Sequence, residues 1–195
     1  FKPSELDEGN HEIKVRARDA VGNWSLFGSH VVFIDKTAPT VPNPFTITPT
    51  NNNSPIWSWS HNSDAVEYEI TFNDVLLGTQ SEAIFSIPSL DDGIHTIKVR
   101  AKDSVGNWSE YGTHIVEIDT TPPSIPSPST DSPVNNINPM WSWSEDSDAV
   151  EYEVVLNGVV QGNQTQTTFT ATALKNGNHE IKVRAKDAVG TVSYT

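Results

Sequence analysis

Side chains that could do chemistry recur in three acidic corners. "DAVGN" stands at 19–23, "DSVGN" at 103–107 and "DAVGT" at 187–191. Each places an aspartate four residues before a side chain that carries an oxygen: Asn23, Asn107 and Thr191. Carboxylates, amide oxygens and backbone carbonyls are the ligands calcium takes, about six to eight at a time and with tolerant geometry. Two further acidic stations recur with the corners. "IDKTAP" (34–39) carries Asp35 and "NSDAV" (62–66) carries Asp64; "IDTTPP" (118–123) carries Asp119 and "DSDAV" (146–150) carries Asp148. They define two candidate ligand sets: Asp35, Asp64, Asp103 and the side-chain oxygen of Asn107, then Asp119, Asp148 and Asp187, with Thr191 in place of the asparagine. A plainer use of Asp103 is to cap its own turn, with Gly106 and Asn107 accepting left-handed backbone angles. Both readings stand at this level.

Other chemistries are poorly served. There is no cysteine, hence no disulfide framework and no thiolate. Nothing pairs a nucleophile with its base, cradles a phosphate or gathers zinc ligands. Twelve basic against twenty-five acidic residues give a formal net charge of −13, which disfavours a nucleic-acid partner. No apolar run approaches the roughly 20 residues of a membrane span. "FKPSELDEGN" does not read as a signal peptide, so an export address is expected outside this segment. Trp24 and Trp108, beside the first two corners, could stack on a sugar ring or, in the commoner use, pack over the open end of a domain.

The corners repeat because the whole chain repeats. "HEIKVRARD" begins at His11, "HTIKVRAKD" at His95 and "HEIKVRAKD" at His179, spaced 84 residues apart. "WSWSHNSDAVEYE" (57–69) and "WSWSEDSDAVEYE" (141–153) keep the same register. That period is too long for a helical solenoid unit or a propeller blade and suits a whole β-sandwich. Within it the local signals are all β. "VEYEITFN" (66–73) sets Tyr68, Ile70 and Phe72 against Glu67, Glu69 and Thr71; "HTIKVRAK" (95–102) sets Ile97, Val99 and Ala101 against Lys98, Arg100 and Lys102. Strict period two with one polar face marks a half-buried antiparallel strand. "PIWSWS" (55–60), "AIFSIPSL" (83–90) and "THIVEI" (113–118) complete the set, separated by Pro, Gly, Asn and Asp. Glu67 and Glu69 should face Lys98 and Arg100 across two strands as a surface charge ladder.

The order of these strands resembles fibronectin type III and related bacterial immunoglobulin-like domains. Trp59 falls where that family has its strand-B tryptophan and Tyr68 where it has the strand-C tyrosine. "LDDGIH" (90–95) is similar to the family's tyrosine corner with His95 in the tyrosine's place, and His11 and His179 hold the same position. A ring nitrogen there can still donate to the upstream backbone. "WSW", "GxHxxxVxAxDxxGNxS" and "IDxTxP" together resemble tandem repeats of giant bacterial surface proteins. The resemblance implies an all-β chain of tandem immunoglobulin-like antiparallel sandwiches: a partial repeat at 1–36 (strands E, F and G), a complete one at 37–120, and one at 121–195 without its last strand. It also implies that the corner between strands F and G lies where the chain enters each domain, which would bring the two carboxylate sets together around calcium.

The expected function is non-enzymatic: a structural segment of an extracellular bacterial surface protein, a stiff rod, stalk or filament. Its partners would be neighbouring repeats of the same chain or other copies of itself, residues 28–35 of one molecule completing the 121–195 domain of the next by strand addition. Phe1, Leu6, Ile13, Val15, Val31 and Phe33 otherwise lack a facing sheet. The alternative is an adhesive module whose loops recognise a glycan or protein receptor. A third reading is a spacer attached to a polysaccharide hydrolase.

Overall fold

The computed structural model describes residues 5–194; Phe1 lies outside them. The described strands, in chain order, are β1 (Gly9–Val15), β2 (Gly28–Ile34), β3 (Ile56–Ser58), β4 (Glu67–Phe72), β5 (Val75–Gln80), β6 (Ile84–Ser86) and β7 (Gly93–Lys102). They continue as β8 (Gly112–Ile118), β9 (Met140–Ser142), β10 (Glu151–Leu156), β11 (Val159–Gln164), β12 (Thr168–Thr170) and β13 (Ile181–Lys186). No helix occurs among the described residues, so none is long and apolar enough to cross a membrane. Strands β3 to β7 recur as β9 to β13 at the 84-residue offset. β1 and β2 answer to β7 and β8, and the counterpart of β6 would fall on residues 1 and 2, outside the described range.

The chain divides into two compact units, one of Phe1–Pro44, Trp59–Ala83 and Ile97–Thr113, the other of Phe45–Ser58, Ile84–Thr96 and His114–Thr195. In the first, β1 and β2 form an antiparallel pair from Gly9↔Ile34 to Val15↔Gly28. β4 pairs with β5 on one side and with the end of β7 on the other, Glu67↔Lys102 through Phe72↔Ile97. This register puts Tyr68, Ile70 and Phe72 on the same face as Ile97, Val99 and Ala101, and all six are buried. The Trp59 ring stands edge-on to Tyr68 with centroids 5.4 Å apart.

β4 and β5 are joined by a two-residue turn that the periodicity of the sequence did not reveal. Asn73 and Asp74 take φ of 47° and 62°, and Asn157 and Gly158 take 52° and 78° between β10 and β11. Positive φ at both central positions matches the type I′ hairpin turn, whose twist fits that of the flanking strands. β5 and β11 are almost wholly exposed, with no buried face to impose alternation. The dipeptides "ND" and "NG" were the available signal.

In the second unit, β3 pairs with β6 through Trp57↔Phe85, and Phe45 bridges to Ser58. The 121–195 repeat lies wholly in this unit and displays its packing. One sheet runs β11-β10-β13 and the other is β12-β9, extended by a bridge from Ser129 to Ser142. Trp143 packs with Tyr152, Val154, Val183 and Ala185; Trp141 packs with Leu156 and Ala171. Phe169 of β12 touches both clusters, which makes a single core between two facing sheets. Each fully buried large side chain contributes about 1.5–3 kcal/mol relative to exposure. The middle repeat carries the same elements, with its four-stranded sheet in the order β5-β4-β7-β8. The chain is therefore all-β, built of tandem immunoglobulin-like antiparallel sandwiches of the fibronectin type III kind.

One strand of the middle sheet, β8, begins where space is tight. A Cβ on Gly112, the first residue of β8, would lie 1.6 Å from the Pro42 carbonyl oxygen, inside any contact distance. Gly112→Ala must push these two backbones apart, an overpacking cost of about 1–3 kcal/mol. Urea unfolding should show the midpoint falling with little change in slope.

Candidate functional site: the junction corners

The turn after β7 is built on Asp103, only 2% exposed. Its Oδ1 accepts the backbone N–H groups of Val105 (2.9 Å), Gly106 (2.7 Å) and Asn107 (2.8 Å). Gly106 supplies the left-handed position at φ 105°. Asp19 repeats the pattern with Val21 and Asn23 at 3.1 and 2.8 Å, and Asp187 with Val189 and Thr191 at 3.0 and 2.8 Å. The capping reading of these aspartates therefore holds at all three corners. Burial works against ionisation of Asp103, but the Asn107 side chain and the turn amides outweigh it and keep its carboxyl below the ordinary range. A serine two residues beyond each asparagine or threonine completes the corner. Ser25, Ser109 and Ser193 accept the N–H of Ala17, Ala101 and Ala185 at 2.9, 2.9 and 2.8 Å.

At the first junction the Asn107 amide nitrogen is the hub. It donates to Asp103 Oδ2 at 2.7 Å, to the Asp35 carbonyl at 3.2 Å and to the Thr37 carbonyl at 3.5 Å. The sequence suggested that the Asn107 oxygen would face inward as a ligand. The structure turns the nitrogen inward, because three converging acceptors require a donor. The Asp35 carboxylate instead accepts the Thr37 N–H at 3.0 Å, and Asp64 is exposed. Among the described residues, Asp35, Asp64 and Asp103 do not gather their carboxylates into one cluster.

The second junction differs. One carboxylate oxygen from each of Asp119, Asp148 and Asp187 lies within 4.8 Å of the others. Thr191 cannot fill the role of Asn107: its hydroxyl reaches the Thr121 carbonyl at 3.5 Å, and Asp187 Oδ2, in a residue 2% exposed, is left buried without a hydrogen-bond partner. Desolvation, with the negative charges of Asp119, Asp187 and Asp146, pushes the Asp148 carboxyl above its ordinary range.

Each junction is also gripped from the preceding repeat, by residues that sequence reasoning did not single out. Thr37 Oγ1 donates to both oxygens of Glu8 at 2.8 Å. Asp92, 84 residues on, accepts Thr120 N–H and Oγ1 at 2.9 and 2.7 Å and Thr121 Oγ1 at 2.6 Å. These hydroxyls, Thr121 foremost, hold Asp92 below the usual carboxylate range. From the following repeat, Asn62 donates to Thr40 Oγ1 at 2.8 Å, and at the equivalent place Ser124 donates to Asp146 through its N–H (3.0 Å) and its hydroxyl. An acidic residue three places before His11 and His95 was the available signal for Glu8 and Asp92.

The histidines are structural. His11, His95 and His179 donate from Nε2 to the carbonyls of Asp7, Asp91 and Lys175 at 2.7, 2.9 and 2.8 Å. The two tryptophans lie over cations on the polar side of strand F (β1, β7 and β13 with the residues that follow them). The Arg16 guanidinium stacks on Trp24 at 4.2 Å, and Arg100 stacks on Trp108 at 4.5 Å with Lys102 at 5.2 Å. Trp24 remains 52% exposed and Trp108 is half-buried. The charge ladder exists, with one rung changed: Glu69 pairs with Arg100 (2.8 Å) as expected, but Glu67 pairs with Lys102 (3.2 Å) and Lys98 with Asp74 (2.5 Å). The antiparallel register sets Glu67 opposite Lys102, and Lys98 opposite Thr71.

The fold is that of tandem fibronectin type III-like sandwiches. No family model matches the chain. It is 30% identical over 184 residues to exoglucanase B of Cellulomonas fimi, covering 86% of this chain and 17% of that protein. It is 30% identical over 182 residues to chitinase A1 of Niallia circulans, covering 85% of this chain and 26% of that protein. The chain thus spans about a sixth to a quarter of the length of these relatives. The fibronectin(III)-like modules of Clostridium thermocellum CbhA superpose with a TM-score of 0.46 at 20% identity, over 80% of this chain and 88% of that one.

Two outcomes test the corner energetics. Asn107→Ala leaves Asp103 Oδ2 buried without its donor and should cost about 1–3 kcal/mol by calorimetry or denaturant unfolding. Separately, hydrogen bonding from Arg100 foremost, with Tyr111 adding to it against the effect of burial, holds Glu69 below its ordinary range. A depressed folded value means stability present above the unfolded carboxylate range and lost as pH falls through the folded value. Wild type should therefore melt above Glu69→Gln at pH 7, and the gap should close as the buffer is taken to pH 3.

Proposed function

We propose that the chain is a non-catalytic spacer in an exported multidomain protein, one that fixes the distance and orientation of the domains it joins. The observation that carries this reading is the two-sided grip on each junction. Glu8 and Asn107 hold the Asp35–Thr37 segment, and Asp92 and Thr191 hold the Asp119–Thr121 segment, at the same offset. Hydrogen bonds from both neighbouring repeats to a short segment that runs into proline remove the freedom an ordinary linker keeps. Asp19, Asp103 and Asp187 are committed through one oxygen to the N–H groups of their turns, and Glu8 and Asp92 to threonine hydroxyls.

The names of the relatives favour a polysaccharide-degrading parent over the stalk of a surface adhesin. The chain would then hold a hydrolase domain away from a substrate-binding domain, outside the cell. An adhesive role for Trp24 and Trp108 is weighed down by their stacking on Arg16 and Arg100, which occupies one face of each ring.

Sedimentation with insoluble cellulose and chitin separates the two. The chain should stay in the supernatant and release no soluble sugar. Retention abolished by Trp108→Ala would overturn the spacer reading in favour of a glycan-binding module. In the spacer, the combined change Glu8→Ala, Asp92→Ala and Asn107→Ala should broaden the distribution of dimensions seen by small-angle scattering while the circular-dichroism spectrum of the sheets is kept.

A further inference from the structure

The two junctions solve one electrostatic problem differently. At the first, a single –NH2 group sits among Asp103 Oδ2, the Asp35 carbonyl and the Thr37 carbonyl. That amide carries partial positive charge at a point where three oxygens converge. At the second, the repeat supplies the same oxygens from Asp187, Asp119 and Thr121, but Thr191 replaces the asparagine. One hydroxyl at 3.5 Å reaches only one of them. Asp187 Oδ1 is taken by the turn amides of Val189 and Thr191, while Oδ2, the counterpart of the oxygen that Asn107 satisfies, is buried and unpartnered.

A buried carboxylate oxygen without a donor is costly, on the order of 1–3 kcal/mol or more for a charged group. The neighbourhood adds to the cost. Asp119 and Asp148 bring carboxylate oxygens within 4.8 Å of the Asp187 carboxylate, so negative charge accumulates where the other junction has a donor. Asp148 occupies the position of Asp64, which stands apart from such a cluster at the first junction. No histidine or cysteine belongs to the group, so its ligands are all hard oxygens, the preference of calcium over zinc or copper.

We propose that the second junction binds a divalent hard cation, calcium by preference, through the carboxylates of Asp119, Asp148 and Asp187, and that the Asn107 amide does the equivalent work at the first junction without a metal. The chain takes up one ion, not one per junction. The ion joins the segment entering the last repeat to the corners of that repeat, and makes the hold on that segment dependent on the surrounding calcium. This inference stands on the orphaned oxygen and is independent of what the spacer carries.

Residue 191 is the discriminating position. Chain stripped with a chelator and dialysed against calcium chloride should bind close to one ion, with half-saturation on the order of 0.1–1 mM. Its melting temperature should rise by roughly 5 °C at 10 mM calcium over sodium chloride of equal ionic strength. Thr191→Asn installs the amide that the first corner already tolerates. It should abolish uptake and raise the melting temperature of the metal-free chain. Asp148→Asn, at an exposed residue outside the turn hydrogen bonds, should weaken uptake at least tenfold with the fold retained. No uptake at 10 mM calcium, two ions per chain, or undiminished uptake by Thr191→Asn would each overturn the proposal.

Discussion

Each repeat depends on one carboxylate placed where strand F runs out. Two or three backbone N–H groups of the following turn converge on a single oxygen of Asp19, Asp103 or Asp187. The turn has no ladder partner for these donors, and an unpaired buried amide is expensive. The aspartate answers locally, within four residues. Its local origin is visible in Asp19, which is exposed and still makes the same bonds as buried Asp103. Burial does not create the turn; it raises the penalty for losing it. Because the turn is then rigid, the residue at its far end, Asn107 or Thr191, is presented to the incoming chain at a fixed position.

The second oxygen of that carboxylate distinguishes the repeats. Oδ1 is saturated by the turn, so Oδ2 must find a partner elsewhere, and the nearest structure is the junction. Where residue 107 is asparagine, one amide closes the set, and a neutral side chain bridges corner and junction. Where residue 191 is threonine, the side chain is shorter and offers a single proton. A difference that looks minor in the sequence therefore changes how many of the oxygens at a domain boundary find a donor. The same logic explains why the negative charge of this chain does not simply repel itself apart at the junctions. Glu8, Asp92 and Asp146 accept from threonine and serine donors, an arrangement in which ionisation strengthens the contact.

The sandwich was legible in the sequence because its buried faces obey period two. Tyr68, Ile70 and Phe72 and their counterparts on strand F could be assigned to the core from alternation alone. β5 and β11 escaped the same test, since edge strands that bury little leave no hydrophobic rhythm and only the turn dipeptides betray them. The site was legible in part. Asp103, Asp119, Asp148 and Asp187 stood out as recurring acids, and the structure places Asp119, Asp148 and Asp187 together. The side-chain orientation of Asn107 was not readable, because it depends on whether its neighbours are donors or acceptors. Nor was the partner of Glu67: it meets Lys102 because the two strands run antiparallel about the Glu69–Arg100 pair, which composition does not encode.

Arg100 shows how surface and corner are made to agree. Its guanidinium pairs with Glu69 on β4 and stacks against both Trp108 and Tyr111, while the Tyr111 hydroxyl donates to the same Glu69. Two residues of the corner and one of the adjacent strand are thereby tied to one planar cation, a geometry that lysine could not reproduce. The last repeat keeps Arg184 with Glu153 at 2.6 Å but has Val192 in place of the tryptophan. There the ion pair persists without its aromatic cover, and Arg184 is correspondingly more exposed, 54% against 30%. The tryptophan thus acts on its own sheet, shielding an ion pair from water. That accounts for Trp108 without requiring a ligand; at the first corner Trp24 covers Arg16 in the same way.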